Sequence, residues 1–183
     1  MSRRVQLVLL CEDKQHEVFA RRFLNEMGLE TRSMRVEKAP GGRGAAEQFV
    51  RNRFPVELKA HRTRPVSQVL VVMVDGDTEG TAARLQQLNQ ACREAVVAER
   101  AAEERVAIFI PTWNIETWMA YLGGEEVTEG KPDYPRLARE RDCQRHVEAL
   151  ARMCRDGKLR EPAPASLEAA CGEYQARLAR ESR

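Results

Sequence analysis

The chain predicts an α/β protein with a mainly parallel, four-stranded sheet between helices, and three observations carry that expectation. A continuous apolar run, Val69-Leu70-Val71-Val72-Met73-Val74, is rich in valine and shows no polar alternation, the pattern of a strand covered on both faces. Apolar runs at 5–11 and 106–110, with a weak strand at 31–39, are separated by stretches of helical periodicity. The resulting order, βαβαβαβ, is that of a doubly wound sheet.

Taken in order, residues 5–11 form the first strand; Arg3 and Arg4 precede a run too short for a signal peptide, and Cys11-Glu12-Asp13-Lys14 ends it. Phe19, Phe23 and Met27, with Ala20 and Leu24 beside them, then mark a helix that Gly28 stops. The second strand spans 31–39. Pro40-Gly41-Gly42-Arg43-Gly44 is a hinge-like connection to a helix carrying Phe49, Val50 and Phe54, which Pro55 is expected to interrupt. After the third strand, Leu85, Leu88, Cys92 and Ala95 share one face of a helix at 81–104, and 106–110 is the fourth strand. Pro111-Thr112-Trp113-Asn114 opens a short helix with Ile115, Trp118, Met119 and Leu122 on one side and Glu116 elsewhere. Two further helices, at 137–154 and 166–180, are split by Pro162-Ala163-Pro164. The division is therefore an α/β unit at 1–123 and a helical extension at 124–183, packing on that unit or on a partner.

Composition narrows the function classes. With 183 residues, 43% hydrophobic and 32% charged, the chain suits one globular core, and no apolar stretch approaches the roughly 20 residues of a membrane helix. Cys11, Cys92, Cys143, Cys154 and Cys171 are odd in number and scattered, without a zinc pattern, which fits reduced thiols and a cytoplasmic location. The net charge of +2 conceals an asymmetry: between positions 31 and 64, nine bases, Arg43, Arg51 and Arg53 among them, face only Glu37, Glu47 and Glu57. That excess is either a phosphate-facing surface or a solvated face.

Acids follow three of the strands: Glu12 the first, Asp75 and Asp77 the third, Glu116 the fourth. In a parallel sheet the carboxyl ends share one edge, where ligands gather, so convergence of these carboxylates follows from strand order. Two acids an even step apart repel unless a cation lies between them, and an oxygen-only set suits Mg²⁺ or Mn²⁺. The competing readings are an Asp-Gly turn with solvated acids, and Glu12 and Glu116 as acids near helix N-termini. His16 is either a surface residue of a first helical turn or, if it faces the edge, a ligand or base. Trp113 and Trp118 read as core or interface residues.

With these residues in place, the chain resembles the TOPRIM (topoisomerase-primase) fold family, which carries a glutamate after strand one and Asp-x-Asp after strand three. The likeness covers about 5–122. It is greatest toward the nuclease-like branch of OLD (overcoming lysogenization defect) proteins and small phage-defence proteins, through Pro111-Thr112-Trp113-Asn114-Ile115-Glu116-Thr117-Trp118. It implies that Glu12, Asp75 and Asp77 bind catalytic Mg²⁺ or Mn²⁺, that Glu116 assists, and that a separately encoded ATPase is a partner. The chain departs from that branch's Glu-Gly-x-Thr/Ser-Glu: Asp13 stands at the glycine and His16 at the second glutamate, with Glu17 one position late.

The expected function is hydrolysis of DNA or RNA phosphodiesters, with Arg43, Arg51 and Arg53 gripping the strand and Glu116 or His16 orienting water. The alternative is a subunit that binds nucleic acid or an ATPase without cleaving. A haloacid-dehalogenase-like phosphatase, which also has Asp-x-Asp, is excluded because its nucleophile strand opens the domain.

Overall fold

The computed structural model describes residues 5–41 and 45–179. Its elements are β1 (Gln6–Cys11), α1 (Lys14–Glu26), β2 (Arg35–Lys38), α2 (Ala46–Thr63), β3 (Gln68–Met73), α3 (Gly80–Glu94), β4 (Val106–Phe109), α4 (Ile115–Leu122), a 3₁₀ turn at Glu140–Cys143, α5 (Gln144–Asp156) and α6 (Ala165–Arg177). The strands form one sheet in the order β2-β1-β3-β4, and every pair is parallel. The protein is thus α/β, with an all-parallel sheet between helices.

Alternation along the buried strands distributes side chains to two layers. Leu7, Leu9 and Cys11 of β1, Val69, Val71 and Met73 of β3, and Ala107 and Phe109 of β4 face a core shared with α1, α4, α5 and α6. Val8, Leu10, Leu70, Val72, Val106 and Ile108 face a smaller core closed by Val50, Phe54 and Leu58 of α2 and Leu88 and Cys92 of α3. Each fully buried aliphatic or aromatic side chain contributes roughly 1.5–3 kcal/mol, so the sheet is held from both sides. The chain steps from β1 outward to β2, then crosses back to β3 on β1's other side. This reversal creates a switch point between the carboxyl ends of β1 and β3, where doubly wound sheets place their ligands.

Four sequence expectations change. The second strand is shorter than 31–39, because residues 31–34 form a turn closed by Met34 N donating to the Thr31 carbonyl (3.2 Å). Pro55 does not interrupt α2: Val50, Phe54 and Leu58 recur every fourth residue in the core, and their burial outweighs the roughly 3 kcal/mol that an interior proline costs. The helix expected at 81–104 ends at Glu94 with Val96 left-handed (φ 56°) and Val97 N donating to the Cys92 carbonyl (2.9 Å). Arg62 then binds the carbonyls of Ala98 and Glu99 and the carboxylate of Glu104, holding the helix-favouring residues beyond it in a loop. The helix expected from 137 starts only at Gln144, after the 3₁₀ turn.

Residues beyond 123 are part of the same core. Tyr174 of α6 packs edge-on against Phe23 of α1 (5.6 Å between centroids), and the Trp118 indole donates to Ser166 Oγ (2.8 Å). Glu173 accepts from the backbone N–H of Ile108 (2.9 Å) while paired with Arg100, so α6 satisfies a donor on the outer edge of β4. Cys154 and Cys171 are joined by a disulfide across α5 and α6, whereas Cys11, Cys92 and Cys143 are free and buried. The expectation of five reduced thiols therefore fails for one pair, whose 17-residue separation disguised their meeting on facing helices. No helix among the described residues is long and apolar enough to cross a membrane.

Candidate active site

The switch point is lined by the acids that the strand order brings there. Immediately after β1, Glu12 turns inward and its Oε1 accepts the backbone N–H of Asp75 (2.6 Å), tying the ends of β1 and β3 together. Asp13 is the N-cap of α1, accepting the His16 backbone N–H on Oδ1 (2.9 Å), which explains an aspartate where the resemblance leads one to expect glycine. Capping turns the His16 ring inward. It is fully buried, and its Nε2 lies 3.0 Å from Asp75 Oδ1 while Nδ1 has no partner among the described residues.

The carboxylates of Asp75 and Asp77 are held by different partners, His16 and Arg84. After β3, Gly76 runs so close to the next strand's loop that its N–H donates to the Pro111 carbonyl (2.8 Å), and a Cβ there would lie 2.9 Å from that oxygen. Asp77 then adopts a left-handed conformation (φ 46°), pairs by backbone with Trp113, and swings its carboxylate out to Arg84 (2.9 Å). Arg84 is itself buried. It also donates to the Asp75 carbonyl (2.9 Å) and pairs with Glu47 (2.7 Å), so one guanidinium holds the loop from beneath. Glu116, in the first turn of α4, lies half-buried at the same edge, 3.9 Å from the Arg136 guanidinium.

The electrostatics show crowding. Burial, then the charge of Asp75, pushes the Glu12 carboxyl up to about 7. Burial, again followed by Asp75, raises Asp77 against the opposing pull of Arg84. Burial, with Asp75 adding to it, raises Glu116. Burial alone would depress the His16 imidazole, but the charge and hydrogen bond of Asp75, with Asp13 and Glu12, hold it up at about 9. Asp75 thus favours the charged form of His16, which rests on that carboxylate much as a bound cation would.

Of the sequence-derived residues, Glu12, Asp75, Asp77, Glu116 and His16 come to this edge. Arg51 and Arg53 lie on α2, and both are engaged: Arg51 with Glu47 (3.5 Å), Arg53 with Glu57 (3.0 Å) and Glu37 (3.7 Å). Arg43, with Gly42 and Gly44, lies outside the described residues. Glu17, the near match to a second family glutamate, is bound to Lys38 (2.9 Å) and ties α1 to β2. Sequence reasoning missed Arg84, although its spacing of four and eight from Leu88 and Cys92 placed it on a buried helix face. It also missed Gln15 and Arg136, which nothing in their neighbourhood signalled.

In kind, the donors fit a hard divalent ion: all are carboxylate oxygens, and three of the four carry raised proton affinities that a cation would relieve. In position, His16 and Arg84 hold Asp75 and Asp77, and among the described residues no three His, Cys, Asp or Glu side chains are grouped as an ion-holding set. No family model, curated protein or solved structure matches the chain.

Proposed function

We propose that the protein is a metal-dependent nuclease of the TOPRIM type, hydrolysing DNA or RNA phosphodiesters in phage or plasmid defence beside a separately encoded ATPase. The observation that carries this reading is the gathering of Glu12, Asp75, Asp77 and Glu116 from three adjacent strand ends at the sheet's switch point, with raised proton affinity on three of them. Glu12, Asp75 and Asp77 would hold Mg²⁺ or Mn²⁺. When bound, the ion supplies an activated water and neutralises charge on the phosphate oxygens. Glu12 fixes the Asp75 backbone, Arg84 fixes the loop carbonyl, and His16 Nε2 keeps a proton beside Asp75 that can move when the charge balance changes.

A second reading, a subunit that binds nucleic acid or an ATPase without cleaving, is favoured by the internal cations: His16 already compensates Asp75, and Arg84 already compensates Asp77. One experiment separates the two. Purified protein is incubated with a panel of single- and double-stranded DNA and RNA, with Mn²⁺, with Mg²⁺ and with EDTA, while calorimetry follows Mn²⁺ binding to wild type, Asp75→Asn and Glu12→Gln. Divalent-dependent cleavage that Asp75→Asn abolishes is the expected result. Unchanged Mn²⁺ affinity in both variants would remove the metal assignment, and binding without cleavage would leave the second reading.

A further inference from the structure

A buried glutamine and a half-exposed arginine meet at the rim of the acidic edge. Gln15 is 2% exposed, one helical turn before Phe19 and on the same side of α1, where an apolar residue would pack as well. Its Oε1 accepts from Arg136 Nε (2.9 Å), and because a guanidinium can only donate, the carboxamide oxygen must face it. Its Nε2 then has no partner among the described residues. A buried donor left unpaired is unfavourable, so core packing does not account for a glutamine at this position.

What Gln15 does is aim Arg136. That residue comes from the irregular segment 124–139, pinned by the Trp113 indole donating to the Glu129 carbonyl (2.9 Å) and by Arg160 donating to the Glu125 carbonyl (2.9 Å). Its other contacts are loose, 3.5 Å to Asp13 and 3.9 Å to Glu116, and the side chain is 58% exposed. Exposed pairs at such distances contribute little to stability. The result is a guanidinium fixed at Nε, with donors to spare, standing over carboxylates.

We infer that Arg136, aimed by Gln15, takes a non-bridging phosphate oxygen of a nucleic-acid strand laid across this edge. The inference rests on the reading of the edge as a phosphodiester site and adds the group that positions the strand there. A guanidinium fork suits that oxygen in geometry and charge, and an edge lined by carboxylates otherwise repels it. Gln15 is a positioning residue in this account and touches no substrate.

The test uses the full chain with fluorescently labelled single-stranded DNA and RNA oligonucleotides in Ca²⁺, reading affinity across a salt series together with thermal stability. Arg136→Met and Gln15→Leu should each weaken binding about tenfold, the size expected for one charge-assisted hydrogen bond, and reduce the salt slope by about 0.7. Gln15→Leu should do so with its melting temperature kept or raised, since it deletes an unpaired buried donor. A structural role alone would do the opposite, lowering the melting temperature and leaving the slope unchanged, and that outcome overturns the inference. So does tighter binding by Arg136→Met, which would make the guanidinium an obstruction. Wild type that binds neither oligonucleotide overturns this inference, while Mn²⁺-dependent cleavage of any member of the wider nucleic-acid panel would still leave the nuclease reading standing. Arg136-dependent binding without Mn²⁺-dependent cleavage leaves the clamp standing and removes only the hydrolysis.

Discussion

Replacing Arg84 by methionine should destabilise the protein more than any surface change in the basic segment, and the structure allows the size to be worked out. The side chain is 5% exposed and donates to the Asp75 carbonyl (2.9 Å), Asp77 Oδ2 (2.9 Å) and Gln87 Oε1 (2.7 Å), with Glu47 2.7 Å away. Methionine fills most of the stem volume, so the loss is electrostatic rather than a cavity. Removing one partner of a buried ion pair costs about 3–5 kcal/mol. Asp77 is 55% exposed and can turn to water, which lowers the expectation to about 2–4 kcal/mol. For a chain of this length that corresponds to a fall in melting temperature of about 4–16 °C. Urea unfolding followed by circular dichroism measures it, with Asp77→Asn and the double variant completing a cycle. Asp77→Asn alone should cost under about 1 kcal/mol, because it leaves the buried carbonyl bond intact. A loss below about 1 kcal/mol in Arg84→Met, or an equal loss in both single variants, would refute the claim that this guanidinium holds the loop.

Three further outcomes are expected. Gly76→Ala should cost about 1–3 kcal/mol and weaken Mn²⁺ binding, because its Cβ would press on the Pro111 carbonyl, whereas Gly41→Ala, with nothing within 4 Å among the described residues, should be silent in a melting curve. Glu57, 3% exposed and bridged by Arg35 and Arg53, would be raised by burial, but the Arg35 hydrogen bonds outweigh that and hold it low. Its contribution is present above the unfolded value near 4.5 and lost as pH falls through the lower folded value, so Glu57→Gln should flatten the acid arm of a pH-stability curve. Deleting residues 166–183 should unfold the whole chain, since Trp118 and Ile108 lose their partners with α6; a cooperative melt in the truncated protein would show α6 to be dispensable.

Three strands were legible because their apolar runs are too short for a buried helix, whereas β2, Arg35-Val36-Glu37-Lys38, is weakly marked; parallel order then places Glu12, Asp75, Asp77 and Glu116 at one edge. Boundaries were less legible where a distant residue decides them. Nothing local in 95–104 shows that Arg62, on another helix, will hold that stretch in a loop, and Pro55 reads as a break until Phe54 and Leu58 are seen in the core. The site divides the same way. Its acids follow from topology, but the cations beside them, His16, Arg84 and Arg136, come from a helix turn, a helix interior and a loop far along the chain; helical spacing buries Arg84, and no sequence period encodes the contacts that place the other two.

Burial and crowding around Asp75 lead to a pH dependence opposite in sign to that of Glu57. Glu12 is raised from 4.5 to about 7 by burial and then by Asp75, so the folded chain holds this proton more tightly than the unfolded chain does. His16 is raised from 6.5 to about 9, with Asp75 and its neighbours overriding burial. For both groups the folded value exceeds the unfolded one; their contribution is complete below the unfolded value and lost as pH rises through the folded value. Without divalent ions, stability should therefore fall between about pH 5 and 7 through Glu12 and between about pH 7 and 9 through His16. Glu12→Gln should remove the lower limb and move the upper one only slightly toward lower pH, since Asp75, the larger upward influence on His16, remains. Adding Mn²⁺ should raise stability more at pH 8 than at pH 6, because the ion competes with the proton at Glu12 and binds only the folded chain. Denaturant titrations at fixed ionic strength, with EDTA and with Mn²⁺, measure all three. An EDTA curve that is level across this range, or one that Glu12→Gln leaves unaltered, would mean that the acids are solvated and independent, and the electrostatic case for a cation site at the switch point would fall with it.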